Sequence, residues 1–457
     1  MTSLQISNTH CTDSALISAL LAGEKFWPTE PRTLAETGLG EPFLEALLCK
    51  TLLIHGRMTG RQIAARCCLP FSLVESALDR LRAARALTHV GSAQFNDYLH
   101  ALTDEGCERA RRHQSESAYA GPAPVPLSDY IISVEAQAVS DEVIRRDDLL
   151  SAFWDVSVAP EMLSMLGPAV NSGSGMFLYG APGNGKSTLA RCITTCFGQD
   201  IWIPHAVIDG GEVIHLFDPA YHEPAGDAAA LPAHDRRWVR IRRPTVVVGG
   251  ELTMDSLELS HDRSTNVCEA PLQMKSNCGC LLIDDFGRQR ISPQELLNRW
   301  IIPLENRHDF LTLGSGKKIQ IPFEQLILFS TNLNPDDLVD EAFLRRIPYR
   351  IEVGDPDERE FHHLFQLEAD RANCPYNPQA VEHLLEQYYR HSNRPKRRCH
   401  ARDLMLLIRH HCVYHDLRFE MLPEYFDQVA TRFFSCTQAK PTLPTQGNSP
   451  HTTEDVP

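Results

Sequence analysis

The stretch Gly180-Ala-Pro-Gly-Asn-Gly-Lys-Ser187 fits the phosphate-binding pattern G-x-x-x-x-G-K-[ST] at every fixed position. The short apolar run Met176–Tyr179 before it predicts a buried parallel strand, and residues 187–195 after it predict a helix. Because strand, glycine loop and helix are the context that the pattern requires, a chance glycine-rich turn explains the stretch poorly. The sequence therefore predicts a loop that binds the phosphates of a nucleotide.

The loop is expected to hold ATP together with Mg²⁺. Its glycines let the backbone turn tightly, so that N–H groups in the loop and at the helix start face a phosphate. Lys186 can reach the β- and γ-phosphates, and the Ser187 hydroxyl is placed to bind Mg²⁺. The predicted nucleotide-binding residues are Gly180, Ala181, Pro182, Gly183, Asn184, Gly185, Lys186, Ser187 and Thr188.

Two later apolar runs end in polar side chains that would complete such a site. Leu281–Asp285 is a predicted strand ending in two carboxylates. Asp284 can hold Mg²⁺ through water, and Asp285 can orient and deprotonate the attacking water. A second predicted strand ends at Asn332, whose amide could hold the water or the γ-phosphate. Taken alone, each could be an ordinary strand-end turn, and their pairing with the loop favours catalysis.

The composition is that of an ordinary soluble globular protein. The 457 residues suggest roughly three domains, and a formal net charge of −15 excludes binding of polyanions by bulk electrostatics. We expect no membrane-inserted helix, since no apolar run reaches 18 residues. The N-terminus lacks the features of a secretory signal, and we expect the 14 cysteines to be reduced thiols in the cytoplasm.

Residues of about 150–436 resemble the AAA+ ATPases. The motifs that carry the resemblance are the loop at 180–187, Leu281–Asp285, Ser330–Asn332, Phe343–Arg346 and Ala401–Leu404. In order and spacing they match the Walker A, Walker B, sensor 1, arginine finger and sensor 2 motifs of that family. The resemblance implies an α/β P-loop core with a parallel sheet, a C-terminal all-helical lid, and ATP bound between neighbours of a ring, often a hexamer.

The resemblance also assigns three arginines. Arg345 or Arg346 would be the finger that reaches a neighbour's γ-phosphate, and Arg402 would be the sensor 2 contact from the lid. The alternative for all three is a solvated helix arginine.

The chain departs from the family pattern in two places. Asp285 stands where many members carry glutamate, so hydrolysis is expected to be slow. Lys186 and Asp284 are 98 positions apart (284 − 186), and the surplus lies near 212–262. Alternating arginines and apolar residues at 236–243 predict a β-ribbon with a basic face, which could touch nucleic acid or an acidic partner. A solvated surface ribbon is the alternative.

Residues 39–115 have the element order of a winged helix-turn-helix. A helix ending at Gly56, a helix over Gly60–Cys67 capped by Thr59, and a third helix from Pro70 precede two predicted strands. Ten Lys/Arg against eight Asp/Glu over 39–113 make no strong basic face, which favours a protein partner over DNA. With this region included, the chain resembles a bacterial group of predicted ATPases with chaperone activity linked to Flp pilus assembly.

The predicted domain division runs in six parts. They are a loosely ordered segment 1–38 with a short helix at Ser14–Ala22, a winged-helix-like domain 39–115, a Pro/Ala-rich linker 116–135, an AAA+ nucleotide-binding domain 136–355, a helical lid 356–436 and a disordered tail 437–457.

The leading hypothesis is a ring-forming ATPase that remodels or assembles protein partners, recruited through residues 39–115. The alternatives are a DNA-associated ATPase, such as a helicase loader or an ATP-dependent regulator, and a nucleotide-binding switch with little turnover. Metal binding other than Mg²⁺ is not expected, because the cysteines near Cys278 and Cys399 lack paired ligand spacing.

Overall fold

The computed structural model describes residues 5–6, 25–156, 158, 160–226, 231–339 and 341–435. The chain divides into two compact units, Met1–Gly354 and Asp355–Pro457. The helix predicted at Ser14–Ala22 and the tail predicted from 437 lie outside the described residues. Among the helices that the structure describes, none has the length and apolar character needed to cross a membrane.

The α-helices of the described residues have the following bounds: α1 Glu41–His55, α2 Gly60–Cys67, α3 Phe71–Ala83, α4 Asp104–Glu116, α5 Leu127–Ala136, α6 Arg146–Ala152, α7 Pro160–Asn171, α8 Lys186–Thr195, α9 Leu272–Lys275, α10 Pro293–Asn306, α11 Pro335–Leu338, α12 Glu341–Leu344, α13 Glu358–Arg371, α14 Pro378–Leu384, α15 Arg398–Tyr414 and α16 Pro423–Ser435.

The strands have these bounds: β1 Gln5–Ile6, β2 Phe26–Trp27, β3 Met58–Thr59, β4 Leu87–Ala93, β5 Asp97–Leu102, β6 Val125–Pro126, β7 Met176–Tyr179, β8 Ile201–Pro204, β9 Ala206–Asp209, β10 Glu212–His215, β11 Trp238–Ile241, β12 Thr245–Val248, β13 Ser260–Asp262, β14 Val267–Glu269, β15 Cys280–Ile283, β16 His308–Thr312, β17 Lys318–Pro322, β18 Leu326–Thr331 and β19 Tyr349–Glu352.

Five strands form a parallel sheet in the spatial order β12-β15-β18-β7-β19, here called the central sheet. The strand predicted at Met176–Tyr179 is confirmed as β7. Ile283 of β15 pairs with Phe329 of β18, and Thr331 of β18 pairs with Tyr179 of β7. The residues that follow these three strands therefore emerge at one edge of the sheet.

Side chains of the central strands alternate between two apolar layers. In β7, Phe177 belongs to one layer, whereas Met176 and Leu178 belong to the other. Leu189 of α8 is buried in the second layer, and Trp300 of α10 is buried in the first. Because helices cover both faces, these strands are nearly continuous apolar runs, which is why they were recognisable in the sequence.

Residues 41–116 contain three helices, an antiparallel sheet in the order β3-β5-β4, and a fourth helix. Thr59 caps α2 by accepting a hydrogen bond from the Gln62 N–H, as predicted. Gly56 follows α1, also as predicted. The sheet has one strand more than expected, since Met58–Thr59 pairs with β5.

Asp97 at the start of β5 fastens α2 to this sheet. Its carboxylate is buried and accepts backbone hydrogen bonds from Gly60 and Arg61 at 3.0 Å each and from Tyr98 at 2.8 Å. Burial opposes the charge, but these N–H donors outweigh burial and hold the pKa of Asp97 below its ordinary value. The carboxylate thus supplies acceptors for N–H groups at the α2 start.

A second sheet has the order β13-β14-β10-β9-β6, here called the mixed sheet. Strands β9 and β10 form a hairpin, and its turn residues Gly210 and Gly211 have φ of 58° and 88°. Two positive φ angles are what a two-residue hairpin turn requires, and glycine adopts them most easily. The sequence Asp209-Gly-Gly-Glu212 has the residues typical of such a turn, although the sequence analysis predicted no hairpin there.

The stretch 116–135 differs from the predicted extended linker. Its second half lies in α5, whose Tyr130 is fully buried. The Ala123 N–H donates to the Cys67 carbonyl at 2.8 Å, and the Ala118 N–H donates to the Thr265 carbonyl at 2.7 Å. The linker composition is misleading, because these hydrogen bonds fix residues 41–116 against the mixed sheet.

The described part of the predicted loose lead-in also packs into the core. Phe26 and Trp27 of β2 are 1% and 2% exposed. The Phe26 ring centroid lies 5.1 Å from that of Trp238, and the Trp27 centroid lies 5.4 Å from that of Trp202. Phe26 and Trp27 are therefore part of the apolar core that contains Trp202 and Trp238.

The strand predicted within 236–243 is confirmed, but the prediction that its arginines form one basic face is wrong for Arg237 and Arg243, whereas Arg236 and Arg242 are exposed. Trp238–Ile241 is a strand, paired antiparallel with β8, but Arg237 is 2% exposed and forms an ion pair with Asp235 at 2.8 Å. Arg237 also donates to the carbonyls of Thr37 and Pro124 at 2.7 and 3.2 Å. A buried guanidinium needs such partners, so Arg237 joins three chain segments.

Arg243 is buried in the same way. It forms an ion pair with Glu142 at 2.8 Å and donates to the Cys278 carbonyl at 2.7 Å. Neither Arg237 nor Arg243 is available to a nucleic acid.

The second unit consists of helices α13 to α16 with a six-residue π-helix at Leu385–Arg390. Its buried core includes Phe361, Phe365 and Phe426. The Asn377 side chain caps α14 by accepting hydrogen bonds from the N–H groups of Gln379 and Ala380.

Candidate functional site

The glycine loop joins β7 to α8 at the edge of the central sheet. Gly180, Gly183 and Gly185 have φ of 136°, 84° and 83°. A Cβ on Gly180 would lie 2.6 Å from the Val353 carbonyl oxygen, so only glycine fits there. Helix α8 begins at Lys186, and its first N–H groups have no partner within the helix, as an anion-binding helix start requires.

The Lys186 ammonium lies over the loop and is largely buried. Its Nζ donates to the carbonyls of Gly180 at 2.9 Å and Ala181 at 3.2 Å. It also donates to Oδ1 of Asn332 at 2.8 Å. The predicted lysine and the predicted amide are thus in direct contact, although they are 146 positions apart in the chain.

The two carboxylates after β15 contact different members of the site. Ser187 Oγ donates to Asp284 Oδ2 at 2.7 Å. Asn332 Nδ2 donates to Asp285 Oδ1 at 2.9 Å. Two short chains of hydrogen bonds result, Ser187 with Asp284 and Lys186 with Asn332 and Asp285, and both lie at the edge where β7, β15 and β18 end.

Ser187 and Asp284 fit a magnesium ion. Both offer oxygen ligands, which hard divalent cations prefer, and both lie at the start of α8 where phosphate oxygens would share the ion. The hydroxyl and the carboxylate are close enough to contact one ion together.

Asp285 has a left-handed backbone, with φ of 51°. Among residues other than glycine, aspartate and asparagine are several-fold enriched in this region. The turn is held by Thr331 Oγ1, which donates to the Phe286 carbonyl at 2.9 Å, and by the buried Phe286 ring. The backbone gives a physical reason for aspartate at this position, which the sequence pattern alone did not provide.

Arg345 and Arg346 lie between α12 and β19. Arg345 is 77% exposed in its side chain and pairs with Glu341 at 3.0 Å, one turn earlier. Arg346 pairs with Glu305 of α10 at 2.7 Å. The Arg345 side chain is therefore exposed to solvent. Each arginine pairs with a carboxylate, Glu341 or Glu305, that is not part of the glycine loop.

Arg402 lies in the second unit, on α15. Its side chain is 68% exposed and pairs with Asp403 at 2.8 Å. The hydrogen bond to Asp403 raises the pKa of Arg402 above its ordinary value.

The cysteines that sequence spacing set aside as metal ligands are mostly buried. Burial raises the pKa of the Cys278 and Cys280 thiols to about 12, so both remain protonated. His400 is half-buried and forms a hydrogen bond of 2.8 Å with the Tyr389 hydroxyl. Burial lowers the pKa of His400 to about 4.

The site as a whole has the architecture of a P-loop at the carboxyl edge of a parallel sheet in a mixed α/β fold. No curated protein matches this sequence. Residues 357–431 match a family described as a domain of unknown function (DUF8689). That match lies within the second unit.

Several solved structures are similar to parts of the chain at low identity. NtrX from Brucella abortus matches with 15% identity and a TM-score of 0.32 over 50% of this chain and 46% of its own. RuvB from Thermotoga maritima, a Holliday junction branch migration motor, matches with 13% identity and a TM-score of 0.35 over 64% of this chain and 70% of its own. The chain thus spans less than half of NtrX, and scores of this size support no conclusion about function.

Proposed function

We propose that this protein is an AAA+ ATPase that binds ATP with Mg²⁺ and hydrolyses it to ADP and phosphate. The observation that carries the proposal is the meeting of Lys186, Ser187, Asp284, Asp285 and Asn332 at one edge of the central sheet. These residues come from three separate strand ends. A glycine-rich turn with a chance lysine gives no reason for the other side chains to gather there.

Each side chain has a distinct task in this mechanism. The α8 N–H groups and the Lys186 ammonium neutralise the phosphate oxygens and hold them in place. Ser187 and Asp284 would hold Mg²⁺, which would supply charge stabilisation to the transferring phosphate when bound. Asp285 orients a water molecule and accepts its proton, and the Asn332 amide fixes the Asp285 carboxylate.

The active form is proposed to be a ring, with a hexamer favoured. Arg345 is exposed, and Arg345 or Arg346 would reach the γ-phosphate of a neighbouring subunit. Such an arginine stabilises charge that develops on the transferring phosphoryl group. Arg402 would contact nucleotide from the helical unit, which acts as the lid.

Residues 39–115 are proposed to be a winged helix-turn-helix that docks a protein partner. The exposed face of α3 carries Glu75 and Asp79. Arg82 pairs with Asp79 at 3.2 Å, and Arg80 lies 3.6 Å from Glu45. Because acidic groups partly neutralise these arginines, the face lacks the clustered positive charge of a DNA reader. The proposed ATPase would act on its partner in the cytoplasm.

Phosphate release by the full-length protein tests this proposal. It is measured at low salt with ATP and Mg²⁺, with and without duplex DNA, and Lys186→Ala is the blank. Release that depends on Lys186 and ignores DNA is the expected result.

Two other results would replace the proposal. A several-fold rise with DNA that falls steeply with salt would favour the DNA-associated ATPase. Tight ATP binding with release no faster than the blank would favour a nucleotide switch.

A further inference from the structure

Three chemically different side chains meet at one corner of the mixed sheet, where β13, β14 and the start of β10 lie side by side. His261 of β13 pairs directly with Cys268 of β14. Glu212 is the first residue of β10, the other neighbour of β14. One ligand atom from each residue lies within 4.8 Å of the other two.

The distances suit a tetrahedral ion. Cys268 Sγ is 3.5 Å from His261 Nδ1 and 3.9 Å from Glu212 Oε2. Zinc bonds of about 2.3 Å to sulfur and 2.0–2.2 Å to nitrogen and oxygen place tetrahedral ligand atoms about 3.5–3.6 Å apart. The two distances from the Cys268 sulfur therefore lie within about 0.4 Å of the spacing in a tetrahedral zinc site.

The surrounding turn positions the carboxylate independently of any ion. The N–H of Gly314 donates to Glu212 Oε2 at 2.8 Å, and the N–H of Ser315 donates to Oε1 at 2.9 Å. A Cβ at residue 314 would lie 2.9 Å from His261 Nδ1 and 3.0 Å from Glu212 Oε2. Glycine is thus the residue that leaves room for the imidazole beside the carboxylate. Second-shell hydrogen bonds of this kind orient metal ligands.

We propose that Glu212, His261 and Cys268 bind one Zn²⁺ ion, with the fourth position open to water or a further ligand. Zinc takes thiolate, imidazole and carboxylate together, whereas Mg²⁺ prefers oxygen ligands alone. Within the mixed sheet, the ion would link the edge strand β13 to β14 and β10, beside the turn at 314–315. This site is separate from the glycine loop and its Mg²⁺.

Titration of the full-length protein with metal ions tests the assignment. Protein treated with a chelator is titrated with Co²⁺, and thiolate ligation appears as a sulfur-to-cobalt charge-transfer band in the near ultraviolet. Zn²⁺ should then displace Co²⁺ with a stoichiometry of one per chain. His261→Ala should weaken Zn²⁺ binding by more than about tenfold, since even outer-shell partners of metal ligands are worth that much.

The control separates this site from the remaining cysteines. Cys107→Ser changes a partly exposed cysteine on α4 and should leave the cobalt band and the stoichiometry unchanged. Cys268→Ser should remove the charge-transfer band. Cys268 is buried, so if this variant does not fold, the loss of Zn²⁺ affinity in His261→Ala still tests the site. The proposal is overturned if wild type binds no stoichiometric Zn²⁺, or if binding is equal in wild type and His261→Ala.

Discussion

The edge of the central sheet and the surroundings of Arg237 place polar groups in opposite ways. In the central sheet they gather at the carboxyl edge, as Lys186, Asp284 and Asn332 do. Arg237, just before β11 of the two-stranded β11-β8 sheet, is instead buried between chain segments and joins them. The first arrangement forms the proposed nucleotide-binding edge, and the second joins Thr37 and Pro124, which flank residues 41–116, to Asp235 and Arg237.

Mutations in these two regions should affect different properties, hydrolysis in one and stability in the other. Changes at the edge of the central sheet should reduce hydrolysis and leave the fold intact, because strand ends contribute little to the apolar layers. Changes at Arg237 should reduce stability first, because they leave a charge buried without its partner.

Loss of the proposed arginine finger, Arg345 or Arg346, should have the largest effect on the rate of hydrolysis. Arg345→Ala with Arg346→Ala should lower phosphate release by about 10³–10⁵-fold, the usual worth of a finger. Arg350→Ala is the matched control, since Arg350 is a nearby, partly exposed arginine paired with Asp336. A finger that acts on a neighbour predicts one more result, namely that mixing this double variant with Lys186→Ala chains restores activity. Mixtures as inactive as their parts would contradict action in trans.

Substitutions at Asp285 test whether the backbone conformation or the length of the side chain limits the rate of hydrolysis. Asp285→Asn should lower phosphate release by about 10²–10⁴-fold, the range for a general base, with unfolding unchanged. Asp285→Glu should also be slower than wild type, because the left-handed backbone at φ 51° disfavours the longer side chain. Asp255→Asn, on an exposed turn, is the control. A faster Asp285→Glu enzyme would mean that side-chain length outweighs backbone conformation.

Arg237→Ala tests whether Arg237 stabilises the fold by joining the segments at Thr37, Pro124 and Asp235. The change leaves Asp235 buried without its ion pair. It should lower the free energy of unfolding of the first unit, Met1–Gly354, by about 3–5 kcal/mol. Tryptophan fluorescence in urea measures this, because Trp27, Trp202 and Trp238 lie in the affected core. Arg242→Ala removes an exposed pair with Glu223 and should cost less than about 1 kcal/mol. Equal midpoints for the two variants would contradict the comparison.

The P-loop elements were predictable because their signals are contiguous. The glycine loop and its flanking elements are encoded within residues 176–195, and fully buried strands such as Leu281–Ile283 are apolar without interruption. The caps at Thr59 and Asn377 are equally local, since a side chain bonds N–H groups two or three residues away.

The mixed sheet was missed because its strands are short and far apart in the chain. β6 lies in a Pro/Ala-rich stretch that suggests a linker, and its partner β9 begins about eighty positions later. Burial of Arg237 depends on carbonyls of Thr37 and Pro124, which no local pattern connects to it. The cluster of Glu212, His261 and Cys268 has no recognised ligand spacing and exists only through strand pairing.

Asp97 gives the smallest expected effect and lies within residues 41–116. Asp97→Asn weakens the hydrogen bonds to the N–H groups of Gly60 and Arg61 and should cost about 1 kcal/mol at pH 7, as loss of a helix cap does. Because folding lowers the pKa of Asp97, the stability that its charge provides is present above the ordinary carboxyl pKa of about 4 and is lost as the pH falls below it. Urea midpoints of wild type and Asp97→Asn should therefore differ at pH 7 and converge towards pH 3. A difference that is constant from pH 7 to pH 3 would mean that the Asp97 side chain acts through its shape and not through its charge.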